Sequence, residues 1–193
     1  MKKIFDKTIL IFLLVCLTIS LYAQWKTIPL TTTLDFNSAV QITDTKTFVV
    51  GDEGTLISTN NNGSSWIPLH LGISSNLNSI KFIDGYKGFI VGDNGVILKT
   101  DSRWRSWDVI SVASNYFNND VSFTNDLNGI VVGYKLFYNK AIPQYLATIL
   151  VTNDGGLTWS EKSPIIPGKF NSVISFDKDN AIAVGDAGLV AVT

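Results

Sequence analysis

Side chains able to do acid–base or nucleophilic chemistry are few in this chain, and their spacing is unusual. Asp52, Asp93 and Asp186 each occupy the second place of a Gly-Asp-x-Gly turn. Hydrolysis of a glycosidic bond needs two facing carboxylates at a defined separation. Acids repeated at one turn position form a ring and not a selected pair, and short acids are ordinary turn formers. His70 is the single histidine and no nucleophile motif accompanies it, so it reads as a loop residue, although a Ser-His-Asp arrangement stays open. Cys16 is the single cysteine. One histidine and one cysteine do not make an ordinary zinc site. The asparagines Asn60-Asn61-Asn62 lack the spaced oxygen ligands of a calcium loop. No metal or cofactor is expected, and the chain reads as non-enzymatic.

The acids recur because the whole chain recurs. Trp25, Trp66 and Trp107 stand 41 residues apart, and Trp159 follows 52 later, one period plus an 11-residue insertion. Asn37, Asn78, Asn119 and Asn171 each come 12 residues after a repeat tryptophan. Gly51, Gly92, Gly133 and Gly185 come 14 residues after those asparagines. The insertion therefore lies between Gly133 and Thr152. A fixed period of this length marks a repeat architecture.

Each unit reads as four short strands. Ser79–Ile83 is half-buried in pattern, Phe89-Ile90-Val91 is wholly apolar, Val96–Thr100 is the third strand, and the segment around Trp107–Ile110 is the fourth. Gly92-Asp93-Asn94-Gly95 supplies a tight turn, where glycine is expected to reach positive φ. Units of four strands and about 41 residues predict an all-β fold, a β-propeller with about four blades, because blades bury their apolar faces on one another. The expected units run 24–36 (a lone fourth strand), 37–77, 78–118, 119–170 and 171–193 (partial). The tryptophans are expected at the seams between blades.

Thr152-Asn153-Asp154-Gly155-Gly156-Leu157-Thr158-Trp159 resembles the Asp box of BNR repeats, usually written S/T-x-D-x-G-x-T-W. Thr59–Trp66 keeps the glycine and tryptophan but has Asn61 for the acid, and Thr100–Trp107 keeps only the ends. With the preceding Val-Gly strands, the unit is similar to the repeat family of photosystem II stability/assembly factors over essentially all of residues 24–193. The resemblance implies a propeller and an assembly-factor or scaffold role. It also implies that Asp154 and Gly156 are structural turn residues, on a connection away from the face that carries sialidase chemistry. A sialidase-like, carbohydrate-binding or glycan-processing propeller is the alternative. Its carboxylate clamp uses three arginines, and this chain has Arg103 and Arg105, both in one turn.

Residues 1–23 read as a secretory signal, with Lys2, Lys3 and Lys7 before the apolar run Ile9–Leu21 and a cleavage site after Ala23. The run is short for a membrane span and no other segment approaches one. Its removal leaves 12 basic against 15 acidic side chains and no cysteine. Such a balance gives no footprint for nucleic acid. The expected address is periplasmic, cell-surface or extracellular. The segment Trp25–Leu30 matches a fourth strand with no blade before it, and Thr193 matches the start of an Asp box. An incomplete or truncated array is favoured over a closed four-bladed ring in which the first strand completes the last blade.

The insertion breaks the repeat at Tyr134–Tyr145. Insertions in repeat proteins map to loops on one face, often the binding face. Tyr134, Phe137, Tyr138 and Tyr145, with Lys135 and Lys140 beside them, are the candidate partner-binding residues, since aromatics are enriched at interfaces. A longer hairpin whose aromatics pack on their own blade is the competing expectation. The expected partner is a protein, with a glycan as the second possibility.

Overall fold

Turn glycines and β-rich runs produce the same local structure four times. The computed structural model describes residues 25–110, 113–139, 142–163 and 165–193. The expected leader and Lys140 lie outside the described residues. The chain divides into two units, Met1–Thr31 and Thr32–Thr193. In the first, residues 25–30 form neither helix nor strand, and Trp25 is fully exposed. Trp25, expected at a seam, leaves its indole in solvent.

The second unit contains four antiparallel sheets. The first holds β1 (Phe36–Gln41), β2 (Thr47–Gly51), β3 (Leu56–Thr59) and β4 (Ile67–Leu69). The second holds β5 (Leu77–Phe82), β6 (Gly88–Gly92), β7 (Ile97–Thr100) and β8 (Asp108–Val109). The third holds β9 (Tyr116–Phe123), β10 (Gly129–Asn139), β11 (Ile142–Thr152) and β12 (Ser160–Glu161). The fourth holds β13 (Phe170–Ser175), β14 (Ala181–Gly185) and β15 (Val190–Val192). In every sheet the strands pair in chain order, and the first strands β1, β5, β9 and β13 contact one another in succession. This is the all-β, partial β-propeller architecture that the period predicts.

The recurring glycines serve a different purpose from the one expected. Gly51 has extended backbone, with φ near −167°. A Cβ on Gly51 would lie 2.0 Å from the Asp35 carbonyl oxygen, and on Gly92 2.0 Å from that of Asn76. The same clash recurs at Gly133 with Phe117 and at Gly185 with Lys169. Register shifts in the first-to-second strand pairs mark the place. These glycines permit close approach of two backbones. Positive φ falls later in the turn, at Glu53 and Gly54, Asn94 and Gly95, or Ala187 and Gly188.

Paired aromatic rings fill two of the three seams, while the third buries the single ring of Phe170 in a cluster with Val132, Ala147 and Ala183. Between the first two blades, Phe48 stacks on Phe82 at 5.8 Å, and Trp107 meets Phe82 edge-on at 6.0 Å. Between the second and third, Phe89 stacks on Phe123 at 4.2 Å, and Trp159 lies edge-on to both. Trp107 and Trp159 thus occupy the expected seams. Trp66 is half-exposed and joins none of the three buried clusters. Each offset or edge-on pair adds about 0.5–1.5 kcal/mol to the burial of its rings.

Candidate functional site

The asparagine column explains why acids recur in the turns. Asn37 Nδ2 donates both to Asp52 Oδ1 (3.0 Å) in its own blade and to the Leu77 carbonyl (3.1 Å) in the next. Asn78 repeats this with Asp93 (2.9 Å) and the Asn118 carbonyl (3.0 Å). Asn171 donates to Asp186 (2.8 Å). The acids orient amides that tie one blade to the next. In the third blade Tyr134 replaces the acid, and Asn119 keeps only the inter-blade bond, to the Phe170 carbonyl at 2.7 Å.

The boxes are equally structural. Asp154 Oδ1 accepts from the Leu157 and Thr158 N–H groups and from Thr152 Oγ1, while Oδ2 accepts from Thr158 Oγ1. These bonds, led by those from Thr158, pull its pKa down to about 2. Asn61 makes the same turn with Thr59 and Ser65, and Ser102 makes it with Ser106. Gly156 is held to glycine by space as well as conformation, because a Cβ there would meet the Phe89 ring at 2.4 Å. Its counterpart Trp104 instead takes positive φ (57°), and its indole packs on Phe48 and Phe82. Arg103 lies over the Tyr86 ring and donates to its hydroxyl at 2.5 Å. His70 is exposed.

One buried acid escaped the sequence reading. Asp120 stands in the column of Ser38, Ser79 and Ser172, on the first strand of the third blade, and is 8% exposed. Its Oδ1 accepts from Ser79 Oγ and the Val121 N–H, and its Oδ2 from Ser172 Oγ and the Val173 N–H. It joins three blades at their inner strands. The available signal was an acid in a column otherwise made of serine.

The insertion is not a loop. It lengthens β10 and β11 into a continuous ladder of eleven pairs, from Gly129↔Thr152 to Asn139↔Ile142. Beyond the Lys135↔Tyr116 pair the third blade ends and a two-stranded arm continues. Pairing places Tyr134, Leu136, Tyr138 and Tyr145 on one face, and Lys135, Phe137, Gln144 and Ile142 on the other. The base of the first face is fastened by Phe117, stacked on Tyr134 at 4.7 Å, and the exposed Tyr145 lies edge-on to Tyr134 at 5.5 Å. Burial pushes the Tyr134 hydroxyl pKa up, with the charges of Asp93 and Asp186 adding to the shift.

On the second face, Lys135 Nζ bonds both Glu161 oxygens at 2.7 and 2.8 Å, and Tyr116 Oη donates to the same carboxylate at 2.6 Å. Partial burial raises the pKa of Glu161, but the bonds from Lys135, Tyr116 and Ser163 prevail and hold it below the usual range. Of the expected partner-binding residues, then, Tyr134 and Lys135 fasten the arm. Phe137, Tyr138 and Tyr145 present it to solvent, Tyr138 at 69% exposure. Ile142, which the sequence reading left out, joins them at 61%.

Among the described residues no three His, Cys, Asp or Glu side chains cluster as a metal site. No helix among them is long and apolar enough to cross a membrane.

Blades, boxes and arm together define a partial β-propeller with one elaborated blade and turns resembling Asp boxes. Residues 20–101 match the family model described as "Photosynthesis system II assembly factor YCF48". Over those residues the chain is similar to this assembly-factor family, and its architecture is that of a partial β-propeller. No curated protein sequence matches it. Among solved structures, YCF48 from Cyanidioschyzon merolae shares the fold at a TM-score of 0.62 and 18% identity, over 89% of this chain. The chain spans 56% of that protein. A YCF48 chain described as bound to D1 peptide aligns at a TM-score of 0.43 and 17% identity, over 88% of this chain and 96% of that one.

Proposed function

We propose that this chain is an exported, non-enzymatic propeller that recognises a protein partner through the β10–β11 arm, in an assembly-factor-like role. The observation that carries the reading is the arm: ordered at its base by opposed fasteners, it holds Phe137, Tyr138, Ile142 and Tyr145 in solvent. Rigid aromatic side chains held ready for contact lose little entropy on binding. The recurring acids and both arginines are placed in turns, where Asn37, Asn78 and Asn171 engage the acids and Tyr86 engages Arg103. Those groups support a scaffold better than a sugar-cleaving centre. The photosystem connection rests on family similarity alone.

The test is to replace Tyr134–Ala147 by Asp-Asn-Gly, the turn of the second blade. One protein partner captured by the intact chain, and lost with the shortened one at unchanged melting temperature, is the expected result. Glycan binding abolished by Tyr138→Ala would favour the carbohydrate reading instead. Export is checked by the N-terminus of the protein released by its host, expected at Gln24.

A further inference from the structure

The two faces of the arm each meet a lysine, and the two lysines differ in what surrounds them. Lys135 is neutralised by Glu161 in a two-pronged ion pair. Lys169, in the connection before β13, puts its Nζ 4.5 Å from the Tyr134 ring centroid and 4.3 Å from that of Tyr145. Among the described residues no carboxylate pairs with it. The acids whose charge reaches Tyr134 are Asp93 and Asp186, and these accept from Asn78 and Asn171. Aromatic faces hold an ammonium in place without removing its charge or filling its three donor positions. A carboxylate arriving there meets an ammonium whose ordering cost is already met.

The surroundings specify what should carry that carboxylate. Along the same face, Leu136, Tyr145 and the exposed Tyr138 lead from Lys169 toward the arm's tip. The edges of the arm differ too. Tyr145 O accepts from Gly168 N and Leu136 N donates to Asn115 O, so these two residues direct their backbone groups outward. By the two-residue period, Pro143 and Tyr138 do the same. Pro143 has no N–H, which closes the β11 edge to a further strand. The β10 edge at Tyr138 offers both an N–H and a carbonyl.

We propose that this face of the arm docks an extended acidic peptide, its backbone along β10 at Tyr138, a carboxylate on Lys169, and an aromatic or aliphatic side chain against Tyr138 and Tyr145. This rests on the reading of the arm as a recognition element and names the chemistry of its partner.

Fluorescence anisotropy with a labelled Glu–Tyr copolymer, against a Lys–Tyr copolymer of equal length, tests it on the full chain. The Glu–Tyr probe binds and the Lys–Tyr probe does not. Lys169→Met, which keeps the apolar stem, weakens binding about tenfold or more and abolishes its salt dependence, while Lys169→Arg retains both. Tyr138→Ser weakens binding but leaves the salt dependence in place. Equal binding of the two copolymers, or wild-type binding by Lys169→Met, overturns the proposal. So does a dimer in sedimentation that the shortened arm dissociates, which would make a second copy the occupant. If the natural partner is lost on shortening the arm but held by Lys169→Met, the peptide chemistry fails and the arm's role stands. If the shortened chain keeps that partner, the arm's role fails as well.

Discussion

The seam between the second and third blades and the seam between the third and fourth are built on the same columns with different volumes. In the former, Phe89, Phe123 and Trp159 interlock. In the latter, the positions of the two phenylalanines hold Ile130 and Ser175, and a cleft of about 310 Å³ opens between Val132, Val151, Ala183 and Val192. Ser175 lines a neighbouring hollow with Ile130 and Val151, and its Oγ is buried without a hydrogen-bond partner among the described residues. The strand lattice is preserved in both, so backbone pairing does not depend on the rings. What the rings supply is seam packing, and it differs from one joint to the next.

Breaking the packed seam should have the largest effect. Phe89→Ala removes a fully buried ring that two aromatics contact and should cost about 3–5 kcal/mol in denaturant unfolding. Ile130→Ala in the open seam should cost clearly less, because Ile130 is only partly buried. Equal losses would refute the contrast. Asp120→Ala should follow at about 3 kcal/mol, since two hydroxyls and two N–H groups lose a shared charged acceptor. Asp120→Asn, which keeps one acceptor oxygen, should lie between it and wild type.

Filling the open seam should act in the opposite direction. Ser175→Phe restores the ring present at Phe82 and Phe123 and should stabilise by about 1 kcal/mol, read as a rise in the denaturation midpoint. A fall would mean that the hollow beside Ile130 and Val151 cannot admit the ring.

The smallest effect concerns the matched box and varies with pH. The folded-state pKa of Asp154 lies near 2, below its ordinary 3.8. Its contribution is therefore complete above about pH 4 and is lost as the pH falls from there toward 2. Asp154→Asn should flatten the stability curve in that window and lower it modestly at pH 7, since Asn keeps the Oδ1 bonds of the Asn61 turn but loses the acceptor for Thr158 Oγ1.

Much of this architecture was legible from spacing. The columns of Trp, Asn and Gly identified blades because a repeated unit must place the same residue type at the same structural point. Their meaning was less legible. Gly92 looked like a left-handed turn residue, yet a carbonyl 2.0 Å from a would-be Cβ is what selects it. Asn78 was visible only as part of a spaced column, yet its amide bridges two blades through residues 15 and 40 positions away. The insertion was located correctly, but its division into Tyr134 and Lys135 as fasteners and Phe137, Tyr138 and Tyr145 as presented surface depends on pairing register. Side chains alternate between faces with a period of two, and composition does not reveal which face meets the blade.

Period, strand pattern and turn chemistry, then, were settled by the order of residues, because hydrogen-bonded hairpins are local and each blade repeats them. The seam volumes, the three-blade bonds of Asp120 and the unneutralised charge of Lys169 were decided by tertiary packing alone. They arise between residues about 24 to 53 positions apart, whose contact is created by the stacking of one blade against the next.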